Sequence, residues 1–136
     1  MEEVLTIREI AARTGLSAHT LRYYERIGLL DPVDRAPSGH RRYVEADLAW
    51  VEFLTRLRAT GMTIRRMQHF AELRRRGEAT TTERRVLLEE HKGEVEENIR
   101  ALRTDLRIVT DKIATYRELE LLTTREMRGD RHDEHR

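Results

Sequence analysis

In the run Leu21-Arg22-Tyr23-Tyr24-Glu25-Arg26-Ile27-Gly28-Leu29-Leu30, guanidinium and phenol groups stand side by side with further basic residues around them. Arg and Tyr donate to phosphate oxygens, and Arg also reads base edges, so this set suits the groove and backbone of duplex DNA. Arg22 can reach a base edge or a phosphate, and the Tyr23 hydroxyl a phosphate. His19 leads the same segment, where helix-turn-helix proteins make base contacts; a plain surface histidine is the competing reading. A second basic set follows in Gly39-His40-Arg41-Arg42-Tyr43. On a regular strand Arg41 and Arg42 alternate in direction, so one faces DNA while the other packs or pairs with an acid. Arg35 is a further candidate, against the reading that a hairpin tip is simply solvated.

Such side chains need rigid elements to aim them. Thr6-Ile7-Arg8-Glu9 reads as a capping box, with Ile7, Ile10 and Ala11 on one apolar face and Gly15 as the stop. Ser17 is a good N-cap for a second helix, in which Leu21 and Tyr24 share a face. That phase gives Tyr24 a largely buried ring. The short Thr14-Gly15-Leu16 turn has helix-turn-helix spacing, leaving Ala18, His19, Arg22, Tyr23 and Arg26 on the side where DNA would lie. Thr6 is mainly a cap, yet a capped helix start also offers N–H groups to a phosphate. The candidate DNA-binding set is therefore Thr6, Ser17, His19, Arg22, Tyr23, Tyr24, Arg35, Arg41 and Arg42.

Asp31-Pro32 ends the second helix, and Asp34, Pro37, Ser38 and Gly39 mark a turn between short potential strands from Val33 to Tyr43. This reads as a β-hairpin wing. Glu45 to Thr60 forms the next helix, with Leu48, Val51, Leu54 and Leu57 inward. Thr63 caps a shorter one packed through Ile64, Met67 and Ala71, closed by Gly77. Thr80-Thr81-Thr82-Glu83 offers a second capping box. After it, Leu88, Val95, Leu102, Val109 and Tyr116 recur every seven residues, with Lys92, Ile99, Leu106, Ile113 and Glu120 four residues after each. This a/d pattern requires a partner helix, most simply a second copy of the chain. Lys92 and Glu120, at opposite ends of the stripe, approach each other if the pair is antiparallel. The dimerisation residues are Leu88, Val95, Ile99, Leu102, Leu106, Val109, Ile113 and Tyr116.

The expected fold class is mainly α: a winged helix-turn-helix head of four helices plus a β-hairpin wing over residues 1–77, then a long antiparallel coiled-coil dimerisation helix over 78–124. A charged tail over 125–136 is expected to be disordered.

Charge distribution agrees with a local nucleic-acid surface. Residues 1–78 carry 14 Lys/Arg against 11 Asp/Glu, whereas 79–136 carry 12 against 14. The chain has no cysteine, which removes disulfides, thiolate metal sites, Fe–S clusters and Cys nucleophiles together. No signal peptide or long apolar run points to export or membrane insertion, so a cytoplasmic location is expected. No cofactor and no metal is called for; His132 and His135 with Asp133 and Glu134 lie in a tail without supporting groups.

Taken together, these motifs resemble the MerR family of transcription regulators from Val4 to about Leu122. The resemblance is carried by the Leu21–Leu30 run, Gly39-His40-Arg41-Arg42-Tyr43, Asp47-Leu48, and Leu57-Arg58-Ala59-Thr60-Gly61-Met62. It implies a homodimer on a near-palindromic promoter operator, with an activated form that bends and underwinds the DNA so that RNA polymerase engages both promoter elements. Asp47-Leu48-Ala49-Trp50-Val51-Glu52-Phe53-Leu54 looks most like the branch that responds to aldehyde or nitrosative stress. In several members of that branch a cysteine on this helix is the proposed sensor. With no cysteine here, thiol sensing is excluded, as is the cysteine-based metal and Fe–S sensing found elsewhere in the family. The tail is short for a separate drug-binding domain.

Trp50, Phe53, Met62 and Phe70 read first as core, and as an effector pocket in the sharper alternative. Arg74-Arg75-Arg76 suits either flanking phosphates or a helix C-terminus. Other functions remain in view: a simple repressor, or a coiled-coil interaction module that docks protein without DNA. An enzyme is disfavoured, because no phosphate loop, nucleophile–base pattern or metal constellation is present.

Overall fold

The computed structural model describes residues 4–31 and 42–133, with side chains as far as Gly129. Helix α1 spans Ile7–Thr14, and its capping box forms as the sequence requires: Glu9 N–H donates to Thr6 Oγ1 (3.1 Å), and Thr6 N–H to Glu9 Oε1 (3.2 Å). Gly15 ends it at φ 77°, a conformation favouring glycine. Ser17 Oγ accepts from Thr20 N–H (3.1 Å) and starts α2, Ala18–Arg26. The two helices pack on each other and α1 packs on α3, Glu45–Ala59. Val44 N–H donates to Asp47 Oδ2 (2.9 Å) at the start of α3. Thr63 Oγ1 accepts from Arg66 N–H (3.2 Å) to open α4, Ile64–Arg75.

These four helices enclose one core, in which Leu5, Ile10, Leu21, Tyr43, Val51, Leu54, Met62 and Met67 are fully or almost fully buried. Leu5 and Tyr43 exchange backbone hydrogen bonds of 2.6 and 2.8 Å as an isolated antiparallel bridge. The hairpin expected over 33–43, with Arg35 and Arg41, lies outside the described residues except for Arg42 and Tyr43.

A 3₁₀ turn, Glu78–Thr80, leads into α5, Thr81–Asp133. The capping box expected at Thr80–Glu83 does not form. Thr80 is buried and its hydroxyl lies 2.5 Å from the Leu73 carbonyl and 2.8 Å from that of Gly77, so it donates into the end of α4 instead. It also accepts from Arg84 Nε (3.2 Å).

By compactness the chain divides into two units, Met1–Gly93 and Glu94–Arg136, so the first turns of α5 belong with the head. Leu87 and Leu88 pack on the head core and His91 is buried. Leu88 thus packs partly on its own head while one side of it borders an open apolar groove: one residue can satisfy a heptad phase and also serve a nearer surface. The second unit is the rest of α5. Ile99, Leu102, Leu106, Val109, Ile113 and Tyr116 lie 42–66% exposed there, an apolar stripe that no other element of that unit covers. The helix runs on to Asp133, past Thr124, where the tail was expected to lose structure. Backbone hydrogen bonding continues through this polar stretch, which has no proline to break it. No helix among the described residues is long and apolar enough to cross a membrane.

Candidate nucleic-acid interface

The second helix of the helix-turn-helix turns two different faces outward and inward. Leu21 and Tyr24 are buried, while His19, Arg22, Tyr23 and Arg26 are exposed. Their spacing of three, one and three residues places all four on one stripe of a 3.6-residue helix. The stripe is organised internally. The Arg26 guanidinium lies 5.6 Å from the centroid of the Tyr23 ring, a cation–π contact within the stripe. The Tyr23 ring also leans on Tyr24, with centroids 6.3 Å apart. Arg26 belongs to this surface although it was absent from the candidate contact set; its signal was the i+3/i+4 spacing to Arg22 and Tyr23.

The Tyr24 ring belongs to the core, with only 5% of the residue exposed, so any contribution of Tyr24 to that face is confined to its hydroxyl. Burial pushes its phenol above the ordinary value of 10.0, partly opposed by the Arg58 charge. Ser17 and Thr6 are both exposed and both engaged as caps. At each helix start the first N–H groups have no partner within the helix and are available to an anion. Arg42 is exposed beside the Leu5–Tyr43 bridge.

The exit of α2 is fastened by side chains from α3 and α4. Gln68 Nε2 donates to the Ile27 carbonyl (2.9 Å), Arg75 Nη2 to that of Gly28, and Trp50 Nε1 to that of Leu29 (2.8 Å). Arg75 also bonds Asp31 (2.8 Å) and Glu72 (3.3 Å), while Arg74 stacks 4.2 Å from the centroid of the Trp50 ring. With Arg76 paired to Glu72 at 3.7 Å, all three consecutive arginines are engaged within the head.

Trp50, Phe53 and Phe70 form one aromatic cluster with centroids 5.9–6.1 Å apart. Trp50, Met62 and Phe70 are at most 8% exposed, so they are core. Only an edge of Phe53 opens outward, onto a cleft of about 420 Å³ with Arg13, Thr14, Glu52, Thr55 and Arg56. Phe70 borders a different, apolar groove of about 390 Å³ with Arg84 and Leu88. The four residues do not converge on one pocket. Among the described residues no cluster of three or more His, Asp or Glu could hold a metal ion.

Comparison with known proteins agrees with this geometry. Residues 5–73 match the family described as MerR HTH family regulatory protein, and residues 48–107 match one described as MerR, DNA binding. An HTH-type transcriptional regulator from Haemophilus influenzae is 36% identical over 117 residues, covering 86% of this chain and 87% of its own length. Among solved structures, a MerR family transcriptional regulator from Listeria monocytogenes is 34% identical with a TM-score of 0.83, covering 97% of this chain and 99% of that one. HiNmlR, a MerR family regulator lacking the sensor domain and crystallised on promoter DNA, is 35% identical with a TM-score of 0.80, covering 88% and 95%. The chain belongs to the MerR family of helix-turn-helix regulatory proteins.

Proposed function

We propose that this MerR-family transcription regulator acts as a homodimer on a near-palindromic promoter operator in the cytoplasm. The observation that carries the reading is the exposed stripe of His19, Arg22, Tyr23 and Arg26 on the second helix of the helix-turn-helix. In this reading Arg22 and His19 contact base edges, and Tyr23 and Arg26 the flanking phosphates. Thr6 and Ser17 offer the starts of their helices to phosphates. Arg35, Arg41 and Arg42 supply a second basic contact from the segment after α2. Support for the operator comes from HiNmlR, whose structure holds promoter DNA.

Dimerisation is assigned to the stripe from Val95 to Tyr116, exposed almost throughout within its own unit. An antiparallel pair fixes the separation of the two heads and so the half-site spacing. Bending and underwinding about 20–30 bp costs several kcal/mol, so a modest bias between two dimer conformations decides whether RNA polymerase engages the promoter. A small-molecule or stress signal would supply that bias, acting without a thiol because the chain has no cysteine.

The test is a binding titration on the DNA immediately upstream of the protein's own gene, across a salt series and against competitor DNA, for the wild type and for Arg22→Ala/Arg42→Ala. A salt-sensitive complex that survives competitor, and is lost in the double variant while the dimer persists, supports the reading. Unchanged binding by a well-folded double variant overturns it.

A further inference from the structure

Three successive carbonyls just beyond α2, those of Ile27, Gly28 and Leu29, each accept from a side chain that comes from elsewhere in the head. The donors are Gln68 and Arg75 on α4 and Trp50 on α3, and they lie 41, 47 and 21 residues away along the chain. Carbonyls at a helix exit have no partner within the helix and must be satisfied by side chains, turns or water. Here they are taken over by an amide, a guanidinium and an indole. The Arg75 charge also sits at the negative end of the α2 dipole.

The same clamp reaches forward. Arg75 bonds Asp31 at 2.8 Å, the last described residue before the segment expected to carry Arg35 and Arg41. Glu72 holds the Arg75 guanidinium from its own helix at 3.3 Å, and Arg74 holds the Trp50 indole by stacking on it. Two of the three donors, Arg75 and Trp50, are therefore themselves restrained. Gly28 permits the path: it sits at φ +85°, and a Cβ there would meet Arg75 Nη2 at 3.7 Å, an ordinary contact.

We infer that Gln68, Arg75 and Trp50 are positioning residues that fix the C-terminal end of α2 and the path of the chain after it, and with them the selectivity of the operator-reading stripe, without touching DNA themselves. The inference rests on the DNA-binding reading above. Gln68 makes the sharpest probe because it is partly buried and uncharged. Its removal changes no phosphate electrostatics.

The variants are Gln68→Met, Arg75→Met and Arg75→Lys in the full chain. Amide hydrogen exchange needs no DNA and is read first. The Leu29 and Leu30 amides, both bonded to the Tyr24 carbonyl (2.8 and 3.3 Å), should exchange roughly tenfold faster in Gln68→Met, with α1 and α3 amides unchanged. Operator binding is read second. The ratio of operator to competitor affinity should fall roughly tenfold, about what one mismatched base pair costs. The slope of log affinity against log salt should stay as in wild type, whereas loss of a phosphate contact lowers it by about 0.9. Arg75→Lys, which retains a donor for Gly28 or Asp31, should recover part of the ratio lost in Arg75→Met.

Unchanged exchange at Leu29 and Leu30 overturns the clamp. Faster exchange with an unchanged affinity ratio overturns its role in selectivity. A wild-type chain that never forms a competitor-resistant complex overturns the DNA-binding reading instead, while the exchange result still decides the clamp.

Discussion

Thr60 Oγ1 lies 2.7 Å from His91 Nε2, joining the end of α3 to the early turns of α5 inside the head. The Thr60 hydroxyl has one proton and gives it to the Arg56 carbonyl at 2.7 Å. It therefore accepts from His91, whose Nε2 carries the ring proton. His91 Nδ1 is left as a buried acceptor with no hydrogen-bond partner among the described residues. Thr60→Val should cost about 1–2 kcal/mol, because it strands the Nε2–H donor as well. His91→Leu removes the stranded atom and leaves Thr60 bonded to Arg56, so stability should stay within about 0.5 kcal/mol of wild type. Urea unfolding of both variants checks the pair, and a large loss in His91→Leu would show that His91 contributes more to the head than its bond to Thr60.

Alkaline stability follows from Tyr24. Burial favours the neutral phenol in the folded chain and raises its pKa above 10.0. The unfolded chain loses this proton first. The resulting stability is fully present below pH 10 and is lost as pH rises from there through the folded-state value. Tyr24→Phe has no proton to lose at this position, so its midpoint should fall less steeply with pH between 9.5 and about 11. Thermal unfolding across that range reads the difference, and parallel curves for the two proteins would count against the burial argument.

Local signals were the legible part of this fold. Thr6 with Glu9, Ser17 and Thr63 each act over three residues, and all three caps form as their sequence demands. The α2 face was equally readable, since helical phase alone separates Leu21 and Tyr24 from Arg22 and Tyr23. What escaped was set by distant partners. Gln68 reads as an ordinary helix-surface residue until Ile27, 41 positions earlier, is seen against it. Leu88 satisfies a heptad and yet packs on the head. Thr80 has every local mark of a cap, but the Leu73 and Gly77 carbonyls lie within reach of its hydroxyl.

Two glycines should respond oppositely to alanine. Gly28 sits at φ +85°, where a Cβ would meet only an ordinary contact, so the cost of Gly28→Ala is backbone strain of about 1–2 kcal/mol. Gly93 lies within α5 with nothing inside 4 Å of an added Cβ, and Gly93→Ala should stabilise by about 1 kcal/mol through helix propensity. Chemical denaturation measures both. Destabilisation by Gly93→Ala in the dimer would mean that the partner's backbone approaches there.

Breaking the apolar stripe tests the proposed dimer. Leu102 and Leu106 are 66% and 65% exposed within their unit and stand at its centre. Leu102→Glu/Leu106→Glu would bury charge in a coiled-coil seam, which is tolerated only if no seam exists. Sedimentation should show a monomer that keeps the helical signal of the head, and operator affinity should fall by at least about 10²-fold as the two half-sites uncouple. A double variant that remains dimeric places the interface elsewhere.

Lys92 and Glu120 offer a test of the orientation of the proposed pair. Both occupy the a phase of the heptad, 28 residues apart, and are exposed in the isolated chain. In an antiparallel dimer each Lys92 lies near the partner end that carries Glu120, giving two attractive contacts. In a parallel dimer Lys92 faces Lys92 and Glu120 faces Glu120. Lys92→Glu should therefore weaken an antiparallel dimer, by about 0.5 kcal/mol for each of the two contacts. Adding Glu120→Lys should restore it, because the reversed pair attracts equally. In a parallel dimer the single change merely exchanges one like-charge layer for another, and the second change brings no rescue. Dissociation constants for the wild type, the two single variants and the double variant form a cycle whose coupling term has opposite expectations for the two geometries. A coupling near zero would contradict the antiparallel arrangement, and a favourable one that shrinks with added salt would identify it as electrostatic.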